Sequence, residues 1–176
     1  FEEAAVIFRD IAWRHRDSDM AEYAANLYLD SLNVLGEQST PPRPACYARI
    51  VSEVPAMLDL FCQGDAAATH AELCTELRRL RCDTLYKEAD AYKLRGEYKN
   101  AARAYLRVVR DCPNYRRLDD VLWNVSLMYE AARLLGRSIK VRQFLIDKVP
   151  NSPHAKRALF LIGANYHALT VYQRAA

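Results

Sequence analysis

DTLYKEADAYKLRGEYKNAARAYLRVVRDCPN, residues 83–114, is the stretch on which the fold turns. Leu85, Ala89 and Tyr92 fall at i, i+4 and i+7, which is one face of a helix. The small Ala89 lets a neighbouring helix come close, and Tyr92 fills the space beyond it. Gly96 marks a turn, because glycine relieves the steric cost of closing a helix C-terminus. Tyr98, Ala101 and Tyr105 open a second helix at i, i+3 and i+7. Pro113 ends it, since proline cannot continue the hydrogen-bond ladder.

Working outward, the pattern returns twice in one frame of 37 residues, without gaps. Leu85, Leu122 and Leu159 align, and so do the aromatics Tyr86, Trp123 and Phe160. Ala89, Ser126 and Gly163 are small at one shared position, and Tyr92, Tyr129 and Tyr166 share another. Ala101, Ser138 and Ala175 are small again, and Pro113 and Pro150 are each followed by Asn. Each unit reads as helix, turn, helix, stop. One such hairpin cannot bury its own apolar face, whereas stacked copies can. The second copy departs: Arg133 stands where the turn glycine belongs, Leu135 replaces the tyrosine, and Gly136 comes three residues late. Its turn is expected to be distorted or shifted.

These residues resemble the tetratricopeptide repeat, in the order Leu85, Ala89, Tyr92, Gly96, Tyr98, Ala101, Tyr105 and Pro113. The third copy shows Leu159, Ile162, Gly163, Tyr166, Tyr172 and Ala175. The period of 37 exceeds that family's usual 34, and the surplus falls near 115–118 and 152–155, between repeats. The resemblance implies an all-α fold, a right-handed superhelical solenoid of antiparallel helix pairs. Copies would span 82–118, 119–155 and a truncated 156–176. Leu85, Ala89, Tyr92, Ala101, Leu122, Tyr129, Leu159, Gly163 and Tyr166 are the expected repeat-packing residues.

The same resemblance implies a groove lined by the first helix of each copy. Its positions hold Asp83, Tyr86, Asp90 and Lys93, then Asp120, Trp123, Leu127 and Glu130, then Arg157, Phe160, Ala164 and His167. Tyr86, Trp123 and Phe160 would form an aromatic stripe, and such rings commonly anchor protein recognition. The alternative is that these rings pack between helices. A clamp for a peptide carboxylate would need more basic or amide residues than Asp83, Lys87, Asp90, Asn124, Leu127 and Leu161 supply. The acidic and aromatic mix suits a basic or apolar segment.

Residues 1–81 fit the pattern less well and read as degenerate repeats with longer helices. Phe1, Ala4 and Phe8 resemble a second repeat helix. A helix is expected over 20–35, with Gly36 as its stop, and a Pro-rich loop over 37–44. Another helix is expected over 45–62, containing Pro55, followed by a turn at Gly64-Asp65. Thr69 and Glu72 have capping-box spacing, which predicts a long helix from there to about Arg95. AANLYLDSLN at 24–33 and ALFLIGANYHAL at 158–169 resemble large tetratricopeptide proteins of the bacterial cell envelope, of the myxobacterial gliding-machinery type. That resemblance implies a periplasmic or envelope location. A cytoplasmic adaptor, or the repeat region of a larger enzyme, stays open.

Composition agrees with a folded helical protein: 51% hydrophobic, 27% charged, and five glycines in 176 residues. The net charge of +3 is too small for a nucleic-acid footprint, although Arg78, Arg79 and Arg81 cluster, as do Arg116 and Arg117. No apolar run approaches the ~20 residues of a membrane span, so this segment is not expected to insert. The chain opens and stops inside helical patterns and reads as part of something longer.

No cofactor site, metal site or catalytic set can be assembled, and the protein is not expected to be an enzyme. No two of His15, His70, His154 and His167 stand three or four residues apart, as a pair of histidine ligands on one helix would. The glycines are isolated, so no phosphate loop exists. Asp17, Asp19, Asp119 and Asp120 stand where helices begin and favour the helix dipole there. The cysteines are Cys46, Cys62, Cys74, Cys82 and Cys112. They are buried thiols or, in an oxidising compartment, disulfides. Cys62 and Cys74 flank a turn and are the best candidate pair. The expected function is therefore protein–protein interaction as a scaffold or adaptor.

Overall fold

The computed structural model describes residues 1–16, 18 and 20–170. Asp17, Asp19, Tyr172 and Ala175 lie outside the described residues. Among the described residues every regular element is a helix: α1 (Glu2–Arg14), α2 (Ala21–Glu37), α3 (Pro44–Phe61), α4 (Ala66–Thr69), α5 (Ala71–Leu94), α6 (Tyr98–Asp111), α7 (Leu118–Ala131), α8 (Leu135–Lys148) and α9 (Ala155–Ala168). The protein is all-α. None of these helices is long and apolar enough to cross a membrane. Two compact units form, Phe1–Ala91 and Tyr92–Ala176, dividing in the last turn of α5.

In the first unit α1 and α2 meet through alanines. Ala5 and Ala12 face Ala21, Ala24 and Ala25, all buried. Small side chains allow this close approach. Ile50, Val54 and Met57 of α3 add the larger apolar volume, each stabilising by about 1.5–3 kcal/mol when fully buried. Gly36 does not stop α2. It lies inside the helix, and a Cβ there would sit 2.9 Å from the Tyr47 ring. Glycine is needed for the contact with α3, not for a turn. Pro44 opens α3 at a position where its missing N–H costs nothing. Thr69 does not cap α5. It closes α4, and His70 precedes α5 with its carbonyl accepting from Cys74 N–H. Glu53, nearly buried on α3, is held by Arg9 and Arg49 at 3.3 and 2.6 Å.

A disulfide joins Cys62, at the end of α3, to Cys74 in the first turn of α5, with Cα atoms 5.7 Å apart. Cys46 carries a free thiol, whose pKa burial raises. Neither Cys82 nor Cys112 is free.

The second unit repeats its helix bounds at a fixed interval. Helices α6 and α8 begin at Tyr98 and Leu135, and α7 and α9 at Leu118 and Ala155, each pair 37 apart and each helix 14 residues long. The connecting hydrogen bonds shift by the same amount. Cys112 N–H donates to Val108 O and Tyr115 N–H to Cys112 O; Val149 N–H donates to Leu145 O and Ser152 N–H to Val149 O. The turn of the second copy is not distorted. Gly96 (φ +73°) and Arg133 (φ +59°) both take the left-handed conformation, and Thr170 (φ +60°) follows 37 residues later. Gly136 plays no part in that turn.

Ser126 and Ser138 are wholly buried at the expected small positions, and Ser138 Oγ donates to Ser126 O across α7 and α8 at 2.8 Å. Leu85, Ala89, Ala101, Leu122 and Tyr129 are buried, while Tyr92, Gly163 and Tyr166 are half-buried. Leu159 does not pack as expected: it is 64% exposed, because no described element covers its side of α9.

Candidate functional site

The expected groove residues fall in both units. Tyr86 and Asp90 belong to the first and are half-buried. Lys93, Asp120, Trp123, Glu130, Arg157, Phe160 and His167 belong to the second.

The chemistry of the second unit gathers where α7 begins. Asp119 and Asp120 lie in its first turn, where free N–H groups and the helix dipole favour negative charge. Asp120 accepts from His154 Nε2 at 2.8 Å and from Arg117 Nε at 3.0 Å. The His154 bond, with Arg117 beside it, holds the Asp120 carboxyl below its usual range. Ser152 Oγ donates to Asp119 at 2.9 Å. The turn before α9 is thereby tied to the start of α7.

One turn further along, the Trp123 ring stacks on His154 at 5.0 Å and 2° between planes. The guanidiniums of Arg142 and Arg157 stand 5.8 and 5.5 Å from its centre. Trp123 is only 8% exposed and lies in a core with Leu122, Leu145 and Ala158. It offers little free face to a partner, so Trp123 is not an accessible member of the expected aromatic stripe. Phe160, at the equivalent place in α9, is 74% exposed.

Arg142 is the unit's buried cation, with 0% exposure, at the position that holds the buried Tyr105 one copy earlier. It pairs with Glu130, while its Nε and Nη1 have no hydrogen-bond partner among the described residues. Glu130 is thus engaged from α8.

Asp119, Asp120 and His154 are also the set of potential metal ligands among the described residues, with donor atoms within 4.8 Å of one another. Local sequence spacing missed this set, because His154 lies 34 residues beyond Asp120. The repeat frame carried the signal: Arg117 and His154 are equivalent basic residues just before α7 and α9. Arg117 and the α7 terminus set positive charge against the same carboxylates, which favours the ion-pair role over cation binding.

In the first unit His70 Nδ1 contacts Glu22 at 2.6 Å, and its ring meets Phe61 edge-on at 5.5 Å. This links α2, the end of α3 and the start of α5 beside the disulfide. No protein-family model matches the chain, and no curated protein shows significant similarity to it.

Proposed function

We propose that this protein is a tetratricopeptide-type helical-repeat module, a right-handed solenoid that acts as a protein–protein interaction scaffold and not as an enzyme. The observation that carries this reading is the 37-residue recurrence of helix bounds, turn conformation and connecting hydrogen bonds in the second unit. Arrays of this kind leave elongated surfaces for other proteins to occupy. Large apolar side chains exposed on α9 fit that use. The groove binds through Lys93, Arg157, Phe160 and His167 of the second unit, with Trp123 supporting it from beneath.

The Cys62–Cys74 disulfide supports an oxidising compartment. A bacterial envelope or motility complex of the gliding-machinery type meets that requirement better than the cytoplasm does.

Affinity capture with the chain and with an Arg157→Ala/Phe160→Ala variant tests the reading. Partner proteins are expected to be recovered by the first and lost by the second, with circular dichroism unchanged. Equal recovery by both would overturn the groove assignment.

A further inference from the structure

Beside the groove, and resting on the same scaffold reading, we propose a second docking surface: two basic depressions at the starts of α6 and α8 that take an extended acidic segment of a partner protein. Open depressions of about 420 and 450 Å³ lie there, both within the second unit. The first is bounded by Gly96, the opening turns of α6 and Ala132 at the end of α7. The second is bounded by Arg133, the opening turns of α8 and Leu169 at the end of α9. Each residue lining the second stands 37 after one lining the first, as Leu135 does after Tyr98 and Leu169 after Ala132. The depression is thus a recurring part of the repeat. The first stays open although α8, the element that follows its rim, is in place, so the chain's own course does not fill a depression of this kind.

Side-chain chemistry specifies the occupant. The first depression holds Lys99 and Arg103, and the second Arg133, Arg137 and Lys140, all exposed. Among the described residues none of these five cations has a carboxylate partner. Arg137 meets the Tyr129 ring, 5.7 Å from its centre. Glu97, the carboxylate that lines the first depression, is held by Arg95 and Asn100 at 3.0 and 2.9 Å, and Leu134 takes its place in the second. Lys99 and Arg137 stand in first turns, where the helix dipole favours the opposite charge, so helix stability does not account for them. Carboxylates brought by a ligand would offset both the dipole and the mutual repulsion of the cations. Between the charges the lining is apolar, with Tyr98 and Ala132 in the first depression and Leu134, Leu135 and Leu169 in the second. The aliphatic surface of the second suits a leucine-like side chain and gives a nucleotide base no ring to stack on. Carboxylates interspersed with apolar side chains are the chemistry of a protein segment.

Fluorescence anisotropy with the intact chain reads the binding of three labelled synthetic peptides. One has Asp/Glu pairs separated by single leucines, one has Lys in place of the acids, and one has Ser in place of the leucines. The acidic leucine peptide is expected to bind, the Lys peptide at least about tenfold more weakly, and the Ser peptide in between, with the preference over Lys shrinking in high salt. Arg137→Glu/Lys140→Glu is expected to weaken the acidic peptide by about tenfold or more, and Lys99→Glu/Arg103→Glu by less, because Glu97 already offsets part of the first depression's charge. Both variants are expected to keep the parent's circular dichroism, since the replaced side chains are exposed. The groove variant Arg157→Ala/Phe160→Ala is expected to bind the peptide as the parent does. No binding of the acidic peptide, equal binding of the Lys peptide, or indifference to the Arg137/Lys140 change would overturn the proposal. So would tighter binding of a single-stranded oligonucleotide than of the peptide, or self-association in sedimentation that the Arg137/Lys140 change abolishes, because the occupant would then be a nucleic acid or a second copy. Peptide failure alongside partner capture that depends on Arg157 and Phe160 would overturn this proposal alone and leave the groove reading standing.

Discussion

Gly96 and Arg133, 37 residues apart, close their helices in the same way. Each has a positive φ, +73° and +59°. Gly96 N–H donates to Lys93 O and the next residue's N–H to Tyr92 O; Arg133 N–H donates to Glu130 O and the next to Tyr129 O. The double bond pattern satisfies carbonyls that a helix end would otherwise leave unpaired. Only the residue type differs, so the second turn keeps its shape at a steric cost that the first avoids.

That cost can be measured. Arg133 is exposed, so Arg133→Gly removes left-handed strain with little lost contact. It should stabilise the protein by up to about 1 kcal/mol, and Gly96→Ala should destabilise it by about 1 kcal/mol. Urea denaturation checks both. A destabilising Arg133→Gly or a neutral Gly96→Ala would mean that the two turns are not equivalent.

Trp123 and Phe160 share a repeat position and should respond oppositely to truncation. Trp123→Ala empties a packed site and should cost about 3–5 kcal/mol. Phe160→Ala should change stability by less than about 0.5 kcal/mol, because its ring stands largely in solvent. Thermal melts of the two variants decide the matter.

The Cys62–Cys74 bridge closes a segment of 12 residues around α4. Restricting the unfolded chain over such a loop is worth about 3 kcal/mol in the entropic account, so Cys62→Ser/Cys74→Ser should lose roughly 2–4 kcal/mol. In denaturant without reductant, thiol titration should find one reactive group per chain, that of Cys46.

Asp120 gives the acid limb of stability a local origin. Its folded pKa lies below that of a free aspartate, first through the His154 hydrogen bond and then through Arg117. A carboxyl with a depressed folded pKa adds stability at pH above its unfolded value, about 3.9, and loses it as pH falls through the folded value. Asp120→Asn should therefore be less stable than the parent near neutrality and converge with it in acid. A constant gap across pH would assign the loss to packing instead.

Much of the second unit was legible because its signals are local. A leucine, a small residue and a tyrosine at helical spacing, repeated in one frame, predict both the helices and which positions turn inward. What escaped depends on contacts between distant residues. Gly36 reads as a stop from the chain alone, yet it is fixed by Tyr47 pressing on it from α3. The family resemblance makes Trp123 a groove anchor, yet Leu145 and Ala158 pack around it and His154 stacks on its ring, which makes it core. Arg133 looked like a broken turn because propensity disfavours what the surrounding hydrogen bonds impose.

The buried Arg142 tests whether charge serves the core or burdens it. Its copy-equivalent is Tyr105, wholly buried, and Arg142 is itself at 0% exposure beside Trp123 and paired to Glu130. A buried ion pair seldom stabilises more than an apolar replacement, but losing one partner strands the other charge. Glu130→Ala alone should therefore destabilise by about 1–3 kcal/mol, allowing for the partial exposure of Glu130. Arg142→Tyr with Glu130→Ala should recover most of that loss, because it restores the arrangement of the preceding copy. Denaturation of the two single variants and the double gives the coupling directly. If the double variant is less stable than Glu130→Ala alone, Arg142 contributes packing or hydrogen bonding that a tyrosine cannot supply, and the two copies are not interchangeable at this position.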